Sequence, residues 1–140
     1  MLQYENLDLK AVRQLAKTLA EEALGKDIII GLVGDLGAGK TIFTQAFGKV
    51  LGAGRITSPT FIIVAHQRLA RQDFYHIDFY RLKKSSELLP LGIKEILSAK
   101  NRVALIEWVD KFPAIRRKCD ILVEFNILKN NLRNVKISAR

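Results

Sequence analysis

Ile28-Ile29-Ile30-Gly31-Leu32-Val33, followed by Gly34-Asp35-Leu36-Gly37-Ala38-Gly39-Lys40-Thr41, decides how this chain is read. The first six residues are an apolar run of strand length and read as a buried strand. The next eight fit G-x-x-x-x-G-K-[ST], a loop that cradles phosphate groups when it joins a strand to a helix. Gly34, Gly37 and Gly39 permit positive φ and let the backbone approach a ligand with no Cβ between, so residues 34–39 can turn successive N–H groups inward as an anion nest. Lys40 opens the following helix, where the macrodipole adds to its ammonium charge and the side chain is expected on the β- and γ-phosphates. The Thr41 hydroxyl is the expected protein ligand of Mg²⁺. The alternative is a Gly-rich strand-to-helix turn that binds nothing.

Working outward, a helix is predicted from an N-cap at Asp8 to Gly25. Val12, Leu15, Ala16, Leu19 and Ala23 form one apolar face at the helical period, and it should pack on a sheet. The helix after the loop runs from Lys40 to about Leu51, turns Phe43, Ala46, Phe47 and Val50 inward and stops at Gly52. Thr57-Ser58-Pro59-Thr60 is a proline-fixed turn into a strand over residues 61–65. A second strand over 74–79 pairs with it through a polar turn at 68–73. Residues 85–99 read as helix interrupted by Pro90 and Gly92, with a helix after Gly92. A short buried strand over 103–106 delivers Glu107 and Trp108 at its C-terminal end. Strands over 121–128 and 133–139, joined by Lys129-Asn130-Asn131-Leu132, form a hairpin expected to close the sheet edge. Strands alternating with helices predict an α/β fold, a three-layer P-loop NTPase-like sheet of mixed parallel and antiparallel strands, with residues 1–140 as a single domain.

Composition narrows the function classes. With 49% hydrophobic and 26% charged residues the chain is ordinary globular material. Its apolar runs are far too short to cross a bilayer, and Met1-Leu2-Gln3-Tyr4-Glu5 has neither a basic n-region nor an apolar h-region. A cytoplasmic protein with no membrane contact is expected. The single cysteine, Cys119, has no partner for a disulfide and reads as structural or inert. A formal charge of +9 exceeds what a nucleotide needs and suggests a polyanion or an acidic protein nearby. The basic residues are dispersed, so a solvated basic face and weak direct RNA contact both stay open.

A loop that only binds phosphate needs little more, whereas hydrolysis needs an acid near the magnesium and a means of positioning water. Glu107 follows an apolar strand, as the acid of a Walker B element does, and strand ends are where ligands gather in open α/β sheets. A solvated cap is its other possible role. In His76-Ile77-Asp78-Phe79-Tyr80-Arg81 alternation puts His76, Asp78 and Tyr80 on one face, either as active-site groups or as the polar side of an exposed hairpin. Ser58 and Thr60 either belong to a plain turn or sense the γ-phosphate, as switch loops do. His66 and His76 do not make a metal site by spacing.

The order GDLGAGKT, TSPTF, HIDFYRL, LGIKEIL and IEW resembles the TsaE (YjeE) family, the small P-loop ATPases of bacterial threonylcarbamoyladenosine tRNA modification. The motifs cover residues 28–112. The resemblance implies ATP and Mg²⁺ as cofactors, Lys40 on the phosphates, Thr41 and Glu107 on Mg²⁺, Asp78 as a second essential acid, Ser58 and Thr60 in a switch-like loop, and Trp108 beside the site. It also implies work with the TsaD and TsaB subunits, which build the threonylcarbamoyl group onto the adenosine beside the tRNA anticodon. Two departures stand out. Ile42 follows Thr41 where the family usually repeats threonine, and Val109-Asp110-Lys111 replaces a small or proline residue followed by Glu-Arg.

A Mg-dependent ATPase of the tRNA-modifying complex is therefore the expected function. It should be slow alone, because no arginine stands out in the sequence as a finger. A nucleotide-gated binding module is the alternative. A small-molecule kinase is less favoured without a second-substrate domain or Arg-rich lid. No N-K-x-D guanine-reading sequence occurs.

Overall fold

The computed structural model describes residues 1–56 and 63–140. In chain order the elements are β1 (Leu2–Leu7), α1 (Leu9–Ala23), β2 (Ile28–Val33), α2 (Lys40–Leu51), β3 (Val64–Arg68), β4 (Asp73–Asp78), α3 (Ile93–Ser98), β5 (Arg102–Glu107), α4 (Pro113–Arg116), β6 (Ile121–Ile127) and β7 (Arg133–Ala139). Among the described residues the strands form one seven-stranded sheet in the order β1-β7-β6-β2-β5-β4-β3. β6, β2, β5 and β4 run parallel at its centre, and β3, β7 and β1 are antiparallel to their neighbours. The fold is α/β with a mixed sheet, as the sequence predicts.

The three layers follow from side-chain alternation in the strands. Ile30, Leu32, Val103, Leu105 and Phe74 face α1 and α2, where Val12, Ala16, Phe43 and Phe47 cover them. Ile29, Ala104, Ile106 and Ile77 face the opposite side, covered by Ile93 and Ile96 of α3 and by Phe112 and Ile115 around α4. Every residue of β5 is buried, as expected of a central parallel strand. Gly31 is required by close approach, because a Cβ there would lie 2.7 Å from Val109 Cγ1 and 2.8 Å from Cys119 Sγ.

Local signals place most boundaries. The Asp8 carboxylate accepts the Ala11 N–H at 2.8 Å and caps α1. Gly52 ends α2 at φ +93°, where its N–H bonds the last-turn carbonyls. Pro90 and Gly92 break the 85–99 segment into a 3₁₀ turn at Ser85–Glu87 and the short α3.

Three differences from the sequence reading have physical causes. The 121–139 hairpin does not close the sheet, because β1 pairs antiparallel with β7 and takes the edge. LQYENL is half polar, without a strict two-residue alternation, and hides as a strand, with Tyr4 and Leu7 half-buried and the rest exposed. β3 begins at Val64 and extends to Arg68, its polar residues tolerated because it is the opposite edge; residues 61 and 62 lie outside the described residues. The segment after β5 makes a 3₁₀ turn at Val109–Lys111 and then α4, whose start is set by Pro113 at its first position.

Candidate functional site

The loop between β2 and α2 is the site's floor. Gly34, Gly37 and Gly39 all take positive φ, at +153°, +80° and +110°. Gly39 is the N-cap of α2 and has no side chain to satisfy the first-turn N–H groups, which leaves them to a ligand or solvent. Asp35, Leu36 and Gly37 are exposed at the loop's crest, whereas Ala38 and Gly39 are buried beneath it. Thr41 is exposed on the first turn, and Ile42 is half-buried against the α1–α2 side of the core. The place of a second hydroxyl is thus taken by core packing.

Lys40 is only 4% exposed. Its ammonium donates to the Gly34 carbonyl and lies 3.7 Å from the centre of the Trp108 ring. Burial lowers its pKa from the ordinary lysine value; Glu107, Asp78, Asp110 and Asp35 pull it back up. Trp108 is held by an N–H bond to the Leu32 carbonyl at 3.1 Å and takes φ +59°, rare for a bulky residue. That backbone turns the chain out of β5 and lays the indole over Lys40. Tyr80 extends the wall, with its ring centre 5.1 Å from that of Trp108.

The acids come from neighbouring strands in one row. Leu32 pairs with Glu107, and Glu107 pairs with Asp78 across the parallel ladder. His76 and Asp78 share the α2 face of β4, while Ile77 and Phe79 point into the opposite core, as alternation predicts. Glu107 is not a solvated cap: it is 5% exposed, and His76 Nε2–H donates to its Oε2 at 2.6 Å. Burial raises the Asp78 pKa above its ordinary value, with Glu107 adding to the rise; the Tyr80 N–H opposes it by donating to the Asp78 carboxylate at 2.9 Å.

Lys40, Thr41, Glu107, Trp108 and Asp78 therefore gather around the head of α2. Ser58 and Thr60 lie outside the described residues. Two contributors escaped the sequence reading, and a third, His76, was left open between an active-site group and the polar side of an exposed hairpin; β4 is an inner strand and the imidazole is buried. Lys111 bonds the Tyr80 carbonyl and, at 3.2 Å, the Leu82 carbonyl, tying the turn after β5 to the loop after β4. Arg133, at the start of β7, is 4% exposed and reaches the underside of Gly39. Its position after the polar Asn130-Asn131 turn gave no sign of that. Among the described residues no group of three or more His, Cys, Asp or Glu could hold a metal ion by itself.

The family model described as "Threonylcarbamoyl adenosine biosynthesis protein TsaE" matches residues 7–135. The chain belongs to the TsaE family. A tRNA threonylcarbamoyladenosine biosynthesis protein TsaE of Haemophilus influenzae is 34% identical over 133 residues, covering 94% of this chain and 83% of that protein. A TsaE of Rickettsia conorii is 37% identical over 123 residues, covering 86% and 69%. A crystal structure of Bacillus subtilis YdiB superposes with a TM-score of 0.76 at 27% identity, over 99% of this chain and 84% of that one. The TsaE match spans every site residue named above, and the family's role is in tRNA threonylcarbamoyladenosine biosynthesis.

Proposed function

We propose that this TsaE-family chain binds ATP with Mg²⁺ at the head of α2 and hydrolyses it slowly in support of tRNA threonylcarbamoyladenosine synthesis. The observation that carries the proposal is Lys40: a nearly buried ammonium, at an uncapped helix N-terminus, with Glu107 and Asp78 among the charges acting on it. Such an ammonium, held for now by a carbonyl and a ring face, suits a ligand that brings several negative oxygens.

The donor chemistry fits a magnesium nucleotide. Thr41 offers one exposed hydroxyl, and Glu107 and Asp78 offer carboxylates from adjacent strands. That set is too sparse to cage a metal but suits an ion that takes most of its oxygens from phosphates and water. Bound magnesium would neutralise phosphate charge. The chain's own part is positional. Residues 34–39 would present backbone N–H groups, Lys40 would hold the phosphates, His76 would orient Glu107, and Asp78 would accept a proton from, or orient, water. The raised Asp78 pKa suits a group that exchanges protons.

Slow turnover alone, with acceleration by TsaD and TsaB, completes the proposal, with the protein acting in the cytoplasm. ATP hydrolysis by wild type, Lys40→Ala and Glu107→Ala, with and without those subunits, tests it. Loss in both variants is expected, and undiminished hydrolysis in both removes the site assignment. If Glu107→Ala still binds ATP and supports repeated rounds of modification, nucleotide gating replaces hydrolysis as the function.

A further inference from the structure

Among the described residues two arginines are buried, Arg102 and Arg133, each with one buried nitrogen that has no hydrogen-bond partner, Nη1 and Nε respectively, but they differ in what their other nitrogens meet. Arg102, 6% exposed, donates from Nε to the Ile96 carbonyl at 3.0 Å and from Nη2 to the Leu97 carbonyl at 2.7 Å. These carbonyls end α3, so a cation meets orphan acceptors at the negative pole of a helix. Arg133 lies at the opposite pole of a helix and, unlike Arg102, bonds no carbonyl: among the described residues its buried Nε has no hydrogen-bond partner and no carboxylate lies within ion-pair distance. The Nε atom lies 3.9 Å from where a Cβ on Gly39 would stand, beside the N-terminus of α2. A buried cation thus stands beside the positive pole of the helix that Lys40 opens. Without an anion this arrangement is unfavourable, since burial strips Nε of water and no described residue replaces it.

We propose that Arg133 is a phosphate-binding residue of the site, completing the cradle on the flank opposite the acids; this rests on the nucleotide reading above. The sheet order places it there. β2 carries the loop, with β5 and β4 bringing Glu107 and Asp78 on one side and β6 and β7 bringing Phe125 and Arg133 on the other. Phe125 packs under the loop, since a Cβ on Gly34 would lie 2.9 Å from its Cβ. Arg133 is therefore built into the loop's support. Because it lies away from the acids, it serves phosphates that are kept when the terminal one is cleaved. ADP and ATP should then depend on it equally.

ADP and ATP affinities of wild type, Arg133→Gln, Arg133→Lys and Lys40→Ala, measured by calorimetry, with thermal unfolding of each nucleotide-free protein, provide the test. Arg133→Gln is expected to weaken both nucleotides by the same factor, on the order of ten- to a hundredfold, as for loss of a charged hydrogen bond. Arg133→Lys should recover part of this. Nucleotide-free Arg133→Gln should unfold no earlier than wild type, because among the described residues its Nε loses no partner. If Lys40→Ala weakens ADP while Arg133→Gln leaves it unchanged, Arg133 is not a phosphate ligand, though the site stands. Arg133→Gln protein that unfolds early with unchanged affinity shows a structural residue and overturns the proposal. If wild type binds neither nucleotide, the nucleotide reading falls and this one with it.

Discussion

The imidazole of His76 holds the carboxylate of Glu107 from within the sheet, at 2.6 Å between Nε2 and Oε2, with the two side chains 3% and 7% exposed. Among the described residues His76 Nδ1 is buried without a hydrogen-bond partner, and the ring's one polar link is to Glu107. Replacing His76 by alanine leaves a buried carboxylate without its donor, at a cost of about 1–3 kcal/mol. His76→Ala should therefore lower the urea midpoint and reduce kcat for ATP more than it raises KM. His76→Gln, whose amide can also donate, should restore part of both. A KM effect alone would show that the imidazole does not position Glu107.

Trp108 is the only tryptophan, and its ring faces the Lys40 ammonium at 3.7 Å. Phosphate oxygens that draw Lys40 away remove a cation–π contact worth about 0.5–2 kcal/mol. Titration with ATP should therefore change the protein's tryptophan emission. In Lys40→Ala the change should vanish at the same ATP concentrations. An equal change in both proteins would mean that nucleotide does not act on Trp108 through Lys40.

Asp78 gives a pH dependence of definite sign. Burial raises its folded pKa above the ordinary 3.8, so between that value and the folded one the native state binds more proton than the unfolded chain. Its contribution to stability is largest at low pH and is lost as pH rises through that interval. At neutral pH the ionised carboxylate costs stability, so Asp78→Asn should raise the Tm of the nucleotide-free protein while lowering ATP turnover at least tenfold. Differential scanning calorimetry at pH 7 checks the first half; a lower Tm in the variant contradicts it.

The core behind β2 offers a separate check. Cys119 is 5% exposed, burial pushes its thiol up to about 12, and its Sγ lies 2.8 Å from where a Cβ on Gly31 would be. Gly31→Ala should cost about 1–3 kcal/mol by overpacking. In wild type, Cys119 should resist a thiol reagent at pH 8 until the protein unfolds; in Gly31→Ala the labelling rate should rise. Rapid labelling of native wild type would contradict the buried placement.

The regularity of the central chain made most of this legible in advance. The 28–41 stretch has one reading as strand, loop and helix, and Gly52, Asp8, Pro90 and Gly92 mark boundaries by local chemistry that tertiary packing leaves intact. β1 was hidden because an edge strand needs little apolar pattern, its pairing to β7 being a long-range event. Lys40, Glu107 and Asp78 were visible because a motif or a strand end points to them. His76 stayed ambiguous and Arg133 was not visible, since their roles come from strand order: a histidine is buried only once β4 becomes an inner strand, and an arginine at residue 133 meets residue 39 only once β7 lies two strands from β2.

Leu32, Glu107 and Asp78 occupy one hydrogen-bonded rank across three parallel strands. Adjacent strands keep a spacing of about 4.8 Å, and sliding one by a single residue would send its side chains to the other face. The interval between the two acids, and between each acid and the root of the phosphate loop, is therefore a property of the peptide lattice. A partner cannot tune this protein by spreading its carboxylates. Among the described residues it can act on what is hung from the lattice: the loop crest at Asp35–Gly37, the Tyr80–Trp108 wall, and the reach of Lys40.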